Sequence, residues 1–320
     1  MDKLDEGLVV LSLFDGMSCG QIALEQAGIK VKAYYASEIK SHGIKVTQDN
    51  YPNTIQLGDV TKVSFKDGIL STENGEFEVG NIDIVIGGSP CQNFSIACIS
   101  EHRKGLDGDK SKLFYEYLRI LKEANPKYFL LENVASMDKQ SKKELDTYMN
   151  IEGTMIDSLN FLPQSRKRLY WTNIDISQYE KKKLKLQDYL DSGYTPKQYS
   201  SCLLEGHSRP TSDKLRLTRR HLEKNFIPVV YESKEKYEEL IEHYNTYYKG
   251  LNAKEVDAIR DNIDNSVYSC VRILSSSEME RLQGVPIRYT KSVSRNEAAS
   301  LLGDGWTVDV IAHIFKGLIK

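Results

Sequence analysis

The chain has 320 residues, of which 40% are hydrophobic, and its formal net charge is −2. This length supports one large hydrophobic core and a smaller second lobe. A charge so close to zero excludes a uniformly basic nucleic-acid-binding protein, so any surface of that kind must be local. The five cysteines form no C-x-x-C pair, which argues against a disulfide framework and against a metal site. With neither a signal peptide nor an apolar run of membrane-spanning length, we expect a soluble, cytoplasmic protein in a reducing compartment.

The N-terminal part of the chain is typical of a nucleotide-binding α/β sheet. Residues 7–14 form an almost continuous apolar run, which predicts a strand covered on both faces. A glycine-containing turn, residues 15–20, precedes a predicted helix that ends before Gly28. The next predicted strand, residues 31–37, leads to Glu38, about 20 residues beyond the turn, where such sheets bind a ribose. A solvated carboxylate at a strand end is the alternative interpretation of Glu38.

A second carboxylate follows the third predicted strand, residues 54–57. This residue, Asp59, stands at the carboxyl end of its strand, where it can accept a hydrogen bond from an adenine amino group. The sequence from 61 to 80 is polar and contains glycine. We expect a surface connection there.

The loop at residues 87–95, with the sequence GGSPCQNFS, follows the apolar run 82–86, which predicts a buried parallel strand. Ligands bind outside the carboxyl ends of strands in such sheets, and the loop falls there. Its two glycines permit close approach of a ligand, and Pro90 stiffens the turn before Cys91. Cys91 is therefore a candidate nucleophile, although a buried structural cysteine is the alternative. The charged stretch 100–112 is predicted to be a lid, or else a plain solvated loop.

The following segment supplies a carboxylate and two arginines. Helical spacing predicts a helix that begins at residue 113, and an apolar strand at 128–131 brings Glu132 to the same edge as Cys91. A carboxylate that ends an apolar strand needs solvent or a partner, and this environment suits it to proton donation. A last strand pair is predicted at 154–162 and 168–172. Because Arg166 and Arg168 alternate at strand spacing, both are expected to face one pocket.

From about residue 175 to 268 the charge rises and tyrosines accumulate. Helices are predicted near 233–247 and 252–263. Basic and hydroxyl side chains are interleaved before them, and such a segment can contact phosphates and base edges. The basic residues concerned are Arg209, Arg216, Arg219 and Arg220. An ordinary soluble insertion is the alternative. Beyond it, a capping box at 275–278 predicts a helix that ends at Gly284, and a final amphipathic helix opens near 303–311.

Five short motifs of this sequence, in this order, resemble those of the cytosine-C5 DNA methyltransferases. The resemblance covers roughly residues 8–175 and 270–318 and is nearest in motif details to the de novo branch and its phage and bacterial relatives. The family usually has Asn where this chain has Asp304, which bears on hydrogen bonding beside the cofactor. The matching elements are Phe14-Asp15-Gly16, Pro90-Cys91-Gln92, Glu132-Asn133-Val134, Gln164 with Arg166 and Arg168, and Arg281-Leu282-Gln283-Gly284.

The resemblance implies an α/β fold with a Rossmann-like sheet that uses S-adenosylmethionine, and a smaller inserted target-recognition lobe. The implied divisions are a catalytic and cofactor-binding domain at 1–174, the lobe at 175–268 and a C-terminal segment at 269–320. It implies methylation at C5 of a flipped-out cytosine through a covalent adduct with Cys91. Glu132 would support N3 and Arg166 would hold O2, with Arg168 as a further catalytic residue and no metal.

The resemblance also implies two sets of binding residues. Those for the cofactor are Phe14, Asp15, Gly16, Met17, Ser18, Glu38, Ile39, Asp59, Val60, Pro90, Leu113, Gly305, Trp306 and Thr307. Those for the partner, double-stranded DNA, are Gln92, Ser95, Arg103, Gln164, Arg209, Arg216, Arg219 and Arg220. The chain could be a monomer or a homodimer.

Two other functions remain open at this point. One is a tRNA cytosine-5 methyltransferase of the same superfamily, and the other is a catalytically inactive DNA-binding partner. Inactive relatives typically lack the nucleophile or the acid, whereas Cys91 and Glu132 are both present. A Rossmann dehydrogenase is disfavoured because the opening lacks G-x-G-x-x-G.

Overall fold

The computed structural model describes residues 6–90, 113–204, 211–224 and 228–319. The strands are β1 (Leu8–Leu13), β2 (Val31–Ser37), β3 (Ile55–Gln56), β4 (Ser64–Lys66), β5 (Ile69–Thr72), β6 (Gly75–Glu78), β7 (Ile84–Gly87), β8 (Tyr128–Val134), β9 (Thr154–Asp157), β10 (Lys167–Thr172), β11 (Val229–Tyr231) and β12 (Val271–Ile273). The α-helices are α1 (Cys19–Gln26), α2 (Ser41–Asn50), α3 (Leu113–Ala124), α4 (Lys139–Met149), α5 (Lys214–Lys224), α6 (Lys234–Tyr247), α7 (Ala253–Ile259), α8 (Ser276–Gln283), α9 (Arg295–Asp304) and α10 (Val308–Phe315).

The main sheet has seven strands in the order β3-β2-β1-β7-β8-β10-β9. Strands β3, β2, β1, β7 and β8 pair in parallel, and β10 is antiparallel to both β8 and β9. The predicted α/β class with a Rossmann-like, mostly parallel sheet is confirmed. Because the parallel strands end at one edge, the turns after β1, β2, β3 and β7 and the end of β8 lie together there.

Hydrophobic clusters cover both faces of this sheet. Side chains alternate between the faces along each strand, so Val10 and Leu130 join one cluster while Leu11 and Leu131 join the other. Helices α1, α8, α9 and α10 contribute to the first cluster, and α3 and α4 contribute to the second. Burial on both faces explains why β1 and β7 are continuous apolar runs in the sequence.

A third hydrophobic cluster belongs to a small lobe. Its sheet pairs β11 with β12 in antiparallel fashion, and α5, α6 and α7 pack around it. Helices α6 and α7 match the predictions for 233–247 and 252–263. Strand β12 ends at Ile273, so the packing of the lobe extends past residue 268.

The expectation of a surface connection at 61–80 is wrong. Strands β4, β5 and β6 form a three-stranded antiparallel sheet there, with Phe65 opposite Leu70 and Leu70 opposite Phe77. Leu70 is fully buried against the second cluster. Asp67 and Gly68 both have positive φ and make the first turn, as Asp-Gly commonly does in hairpins. No helix within the described ranges is long and apolar enough to cross a membrane.

Candidate active site

The turn between β1 and α1, which contains residues in the left-handed backbone conformation, forms one end of the site. Phe14 and Ser18 have φ angles of 59° and 60°, and Gly16 has a φ of 63°. The carboxylate of Asp15 accepts hydrogen bonds from the Tyr34 hydroxyl at 2.8 Å and from the Ser18 hydroxyl. Burial raises the pKa of Asp15, although these hydrogen bonds act in the opposite direction. The predicted glycine turn is therefore present and is fixed by polar contacts.

Glu38 directly follows β2, and its side chain links the end of that strand to this turn by hydrogen bonds. Its Oε2 accepts the Gly16 N–H at 2.7 Å, and its Oε1 accepts the N–H groups of Ile39 and Lys40 at 2.8 Å each. The side chain of Ile39 is 73% exposed, although isoleucine is normally buried. A fixed carboxylate beside an exposed apolar side chain offers acceptors for hydroxyl groups and a surface for a ring.

Asp59 lies at the end of the neighbouring strand, as the sequence predicts. Its Oδ1 accepts the Thr61 N–H at 2.9 Å and caps a short 3₁₀ helix. Several other predicted cofactor residues have buried side chains, while Leu113 is partly buried at the start of α3. The buried residues are Met17, Ser18, Val60 and Thr307.

Strand β8 fixes the start of the loop that carries the candidate nucleophile. The Asn133 side-chain amide donates to Ser89 O at 3.2 Å and to Ser89 Oγ at 3.1 Å, and both residues are buried. Pro90 follows directly and is the last residue described before the gap. The predicted residues Cys91, Gln92, Ser95, Arg103 and Arg209 lie outside the described residues.

Glu132 is the carboxylate at the centre of this edge. It lies within β8 and is 9% exposed. Its Oε1 forms an ion pair with Nε of Arg168 at 2.9 Å. Its Oε2 accepts the indole N–H of Trp306 at 3.0 Å. The predicted residues Glu132 and Arg168 are thus in direct contact, and Trp306, predicted for the cofactor, joins them.

The structure contradicts the expectation that Arg166 reaches a cytosine. Arg166 is 4% exposed and precedes the first residue of β10, so strand alternation does not aim it with Arg168. Its Nη2 donates to the carbonyls of Gly303 at 3.0 Å and Gly305 at 2.8 Å, and its Nη1 donates to the Cys202 sulfur at 3.2 Å. Arg166 therefore holds the C-terminal segment, and Arg168 is the arginine that contacts the Glu132 carboxylate.

The arrangement does not support a DNA contact by Gln164 either. Its side chain is fully buried. The amide donates to Leu282 O at 2.7 Å, and its oxygen accepts the Leu203 N–H at 3.0 Å. Gln283, which the resemblance included only as part of a motif, accepts the hydroxyl of Thr307 at 3.0 Å. These buried amides join α8 to the connection between β9 and β10 and to the segment that contains Thr307.

Cys202 was not predicted as a site residue, but it lies next to both arginines. Burial alone would raise the pKa of its thiol, yet the Arg166 and Arg168 guanidinium groups bring that pKa below its usual value. By contrast, burial raises the pKa of Cys19 to about 12. The only signal for Cys202 in the sequence is its place just before the lobe.

The predicted DNA-contacting arginines of α5 differ in their surroundings. Arg219 donates to Glu223 Oε1 at 2.9 Å and to Leu251 O at 2.5 Å, and its side chain is 12% exposed. Arg216 is exposed, and Arg220 is half-buried. Arg219 is thus tied to the structure of the lobe, whereas Arg216 is available at its surface. No three His, Cys, Asp or Glu side chains in the described ranges are arranged to hold a metal ion.

Comparison with known proteins gives consistent similarities. A family model for the C-5 cytosine-specific DNA methylase family matches residues 8–320. The chain is 27% identical over 336 residues to the type II methyltransferase M1.ScrFI of Lactococcus lactis subsp. cremoris, covering 97% of this chain and 78% of that protein. It is 32% identical over 175 residues to the orphan methyltransferase M.SPRI of Bacillus phage SPR, covering 51% of this chain and 37% of the phage protein. The chain therefore matches less than half the length of that phage relative.

Solved structures share the fold. The S. pombe Dnmt2 methyltransferase superposes with a TM-score of 0.65 at 16% identity and covers 98% of both chains. A putative DNA modification methyltransferase encoded within a prophage of E. coli gives a TM-score of 0.57 at 19% identity, with the same coverage.

Proposed function

Because this chain belongs to the C-5 cytosine-specific DNA methylase family, we propose that it methylates C5 of cytosine in double-stranded DNA. The observation that carries the proposal is the carboxylate of Glu132, held between Arg168 and Trp306 at the strand edge beside the loop of Cys91. The family implies S-adenosylmethionine as the methyl donor.

The residues of the cofactor turn fit this donor. Glu38 is held by three N–H groups and can accept ribose hydroxyls, while the exposed side chain of Ile39 offers an apolar surface for adenine. Asp59, at the neighbouring strand end, can accept from the adenine amino group. When bound there, S-adenosylmethionine supplies an electrophilic methyl group.

The remaining chemistry is carried by side chains of this chain. The target cytosine must leave the helix stack to reach them. The Cys91 thiolate attacks C6, the C5–C6 double bond gives its electrons to the ring, and C5 becomes nucleophilic. Glu132 shares a proton with N3 and so offsets the charge that develops on the ring. Arg168 holds Glu132 in place. After C5 has gained its methyl group, water or hydroxide takes the C5 proton, and the electrons of that C–H bond restore the C5–C6 double bond. The C6–S bond breaks at the same time and releases the Cys91 thiolate.

We also infer that residues 175–268 form the target-recognition lobe between a catalytic domain at 1–174 and a returning segment at 269–320. The separate hydrophobic cluster runs from Leu215 to Ile273, whereas Leu186 and Leu203 pack in the first cluster of the sheet. These contacts support a lobe that begins after Leu203 and extends through β12. Arg216 and Arg220 on α5 are the residues of the described part best placed to contact phosphates.

Bisulfite sequencing of DNA and of tRNA from cells expressing the chain tests the proposal. We expect methylated cytosines in DNA, none with Cys91→Ser, and unchanged methylation with Cys270→Ser, which alters a buried cysteine of the lobe. A covalent complex with 5-fluorocytosine DNA should form with the parent and with Cys270→Ser only. Methylation confined to tRNA would assign the chain to the RNA-modifying alternative, and methylation by Cys91→Ser would remove Cys91 from the mechanism.

A further inference from the structure

Trp306 lies where three parts of the candidate site meet. It follows α9 and Gly305 and precedes α10, and it is half-buried. Its indole N–H donates to Oε2 of Glu132 at 3.0 Å. Since Arg168 holds Oε1 at 2.9 Å, the carboxylate is anchored at both oxygens. Each oxygen has two lone pairs, so this double anchor fixes the orientation of Glu132 and still leaves capacity for a base.

The same residue contacts the turn that is proposed to bind the cofactor. A Cβ atom placed on Gly20, in the first turn of α1, would lie 3.8 Å from Cζ3 of Trp306. A Cβ atom on Gly305, which precedes Trp306, would lie 3.2 Å from Cε of Met17 and 3.3 Å from the sulfur of Cys19. The indole is therefore within van der Waals reach of the helix start that closes the cofactor turn.

On its other side, Trp306 meets the loop that leads to Cys91. A Cβ atom on Gly88 would lie 2.8 Å from the indole nitrogen of Trp306 and 2.9 Å from Oε2 of Glu132. Distances under 3 Å are too short for ordinary packing. The hydrogen bond between Trp306 and Glu132 consequently requires glycine at position 88.

We propose that Trp306 is a positioning residue for Glu132 and couples occupation of the cofactor pocket to the orientation of this carboxylate. The inference rests on the proposed function. A ligand that packs against the indole restricts its motion and thereby the motion of Glu132. Coupling of this kind is reciprocal, so cytosine-containing DNA must strengthen cofactor binding by the factor by which the cofactor strengthens DNA binding.

The kinetic test compares two variants that remove an indole N–H. Trp306→Phe keeps an aromatic ring but removes the donor to Glu132. Trp171→Phe removes a similar hydrogen bond, from Trp171 Nε1 to Asp146 Oδ1 at 2.7 Å, in the fully buried core. With unmethylated duplex DNA, Trp306→Phe should lower kcat about 10- to 100-fold, as expected for one lost hydrogen bond to a charged group. KM for DNA should stay within about threefold, and Trp171→Phe should retain kcat.

A second variant separates positioning from loss of the indole itself. Gly88→Ala retains both side chains but forces Trp306 and Glu132 apart, so it should reproduce the kcat defect. Circular dichroism of each variant establishes that it is folded. A kcat within about twofold of the parent in both Trp306→Phe and Gly88→Ala would overturn the positioning role.

The coupling has a readout that does not depend on turnover. The chain has two tryptophans, so Trp306 is the sole indole in the Trp171→Phe background. Addition of S-adenosylhomocysteine should change its fluorescence emission. Calorimetry should show that DNA strengthens S-adenosylhomocysteine binding in the parent and in Trp171→Phe but no longer in Trp306→Phe. Unchanged emission, or equal coupling in Trp306→Phe, would overturn the proposal. If the unsubstituted protein methylates no DNA, the proposed function is refuted. The fluorescence of Trp306 would still show whether its indole contacts a ligand in the cofactor pocket.

Discussion

Arg166 and Arg168 are two residues apart, yet their substitution by lysine should have opposite consequences. The guanidinium group of Arg166 donates to four acceptors, namely the Cys202 sulfur at 3.2 Å and the carbonyls of Leu203 at 3.3 Å, Gly303 at 3.0 Å and Gly305 at 2.8 Å. Arg168 instead pairs with Glu132. Arg166→Lys should therefore lower stability, and Arg168→Lys should lower activity.

The size of the stability effect follows from the acceptors left behind. A lysine ammonium group is a point charge. It cannot reach both the Gly303 and Gly305 carbonyls and the acceptors at Cys202 and Leu203, as the planar guanidinium group does. At least two buried carbonyls then lose their donor, at a cost of about 1–3 kcal/mol each. We expect Arg166→Lys to lower the free energy of unfolding by about 3–5 kcal/mol. At an m value of about 3 kcal/mol/M, the urea midpoint falls by about 1–1.7 M.

The assay is urea unfolding followed by circular dichroism, together with methyl transfer to DNA. Arg168→Lys should lower the free energy of unfolding less, by about 1–2 kcal/mol, because lysine can still pair with the mostly buried Glu132. It should nevertheless lose about tenfold or more in kcat, since the carboxylate is no longer held in one geometry. Arg288→Lys, which changes an exposed side chain, is the matched control and should change neither quantity. An Arg166→Lys variant that is as stable as the parent but inactive would refute this reasoning and return Arg166 to the cytosine.

Three further outcomes are expected. Glu38→Ala and Asp59→Ala should each weaken S-adenosylmethionine binding by about 1–3 kcal/mol in calorimetry, and unchanged affinity in both would place the cofactor elsewhere. The pH of half-maximal alkylation of Cys202, measured by peptide mapping, should lie below that of a model thiol because its pKa is lowered; a higher value would contradict the arginine contacts. Arg216→Ala should flatten the salt dependence of DNA binding by about one unit, whereas Arg219→Ala should lower the stability of the lobe because its side chain is tied to the lobe's structure. Equal salt slopes for the parent and Arg216→Ala would remove α5 from the DNA-binding surface.

The parallel sheet could be predicted because each of its central strands is buried on both faces. Such strands are runs of apolar residues, and a carboxylate such as Glu38 or Glu132 marks the point where a run reaches the open edge. The five motifs gave the family resemblance, which the family match over 8–320 confirms. The meander of β4, β5 and β6 was missed because its strands are short and mostly exposed, although the Asp67-Gly68 turn was visible in the sequence.

Two other differences between the predictions from sequence and the structure have a physical explanation. Helix α5 was treated as a polar stretch, although Leu215, Thr218 and Leu222 recur at helical spacing. The resemblance implies substrate contacts for Gln164 and Arg166, and strand spacing predicts that Arg166 faces the pocket with Arg168. Their partners, however, are 118 to 139 residues away in the sequence, at Leu282, Gly303 and Gly305. No local pattern distinguishes a polar side chain that faces a ligand from one that faces a distant carbonyl.

These distant contacts explain how an inserted lobe is compatible with one active site. Leu203 lies just before the lobe, and its N–H and carbonyl are held by Gln164 and Arg166. At the other end of the lobe, Arg272 of β12 pairs with the fully buried Glu278 at 2.7 Å at the start of α8. Both ends of the lobe are therefore fixed to the elements that hold Glu132 and Trp306. Because the lobe's own cluster packs separately from the sheet, we expect that substitutions on the surface of the lobe leave the Glu132 carboxylate undisturbed.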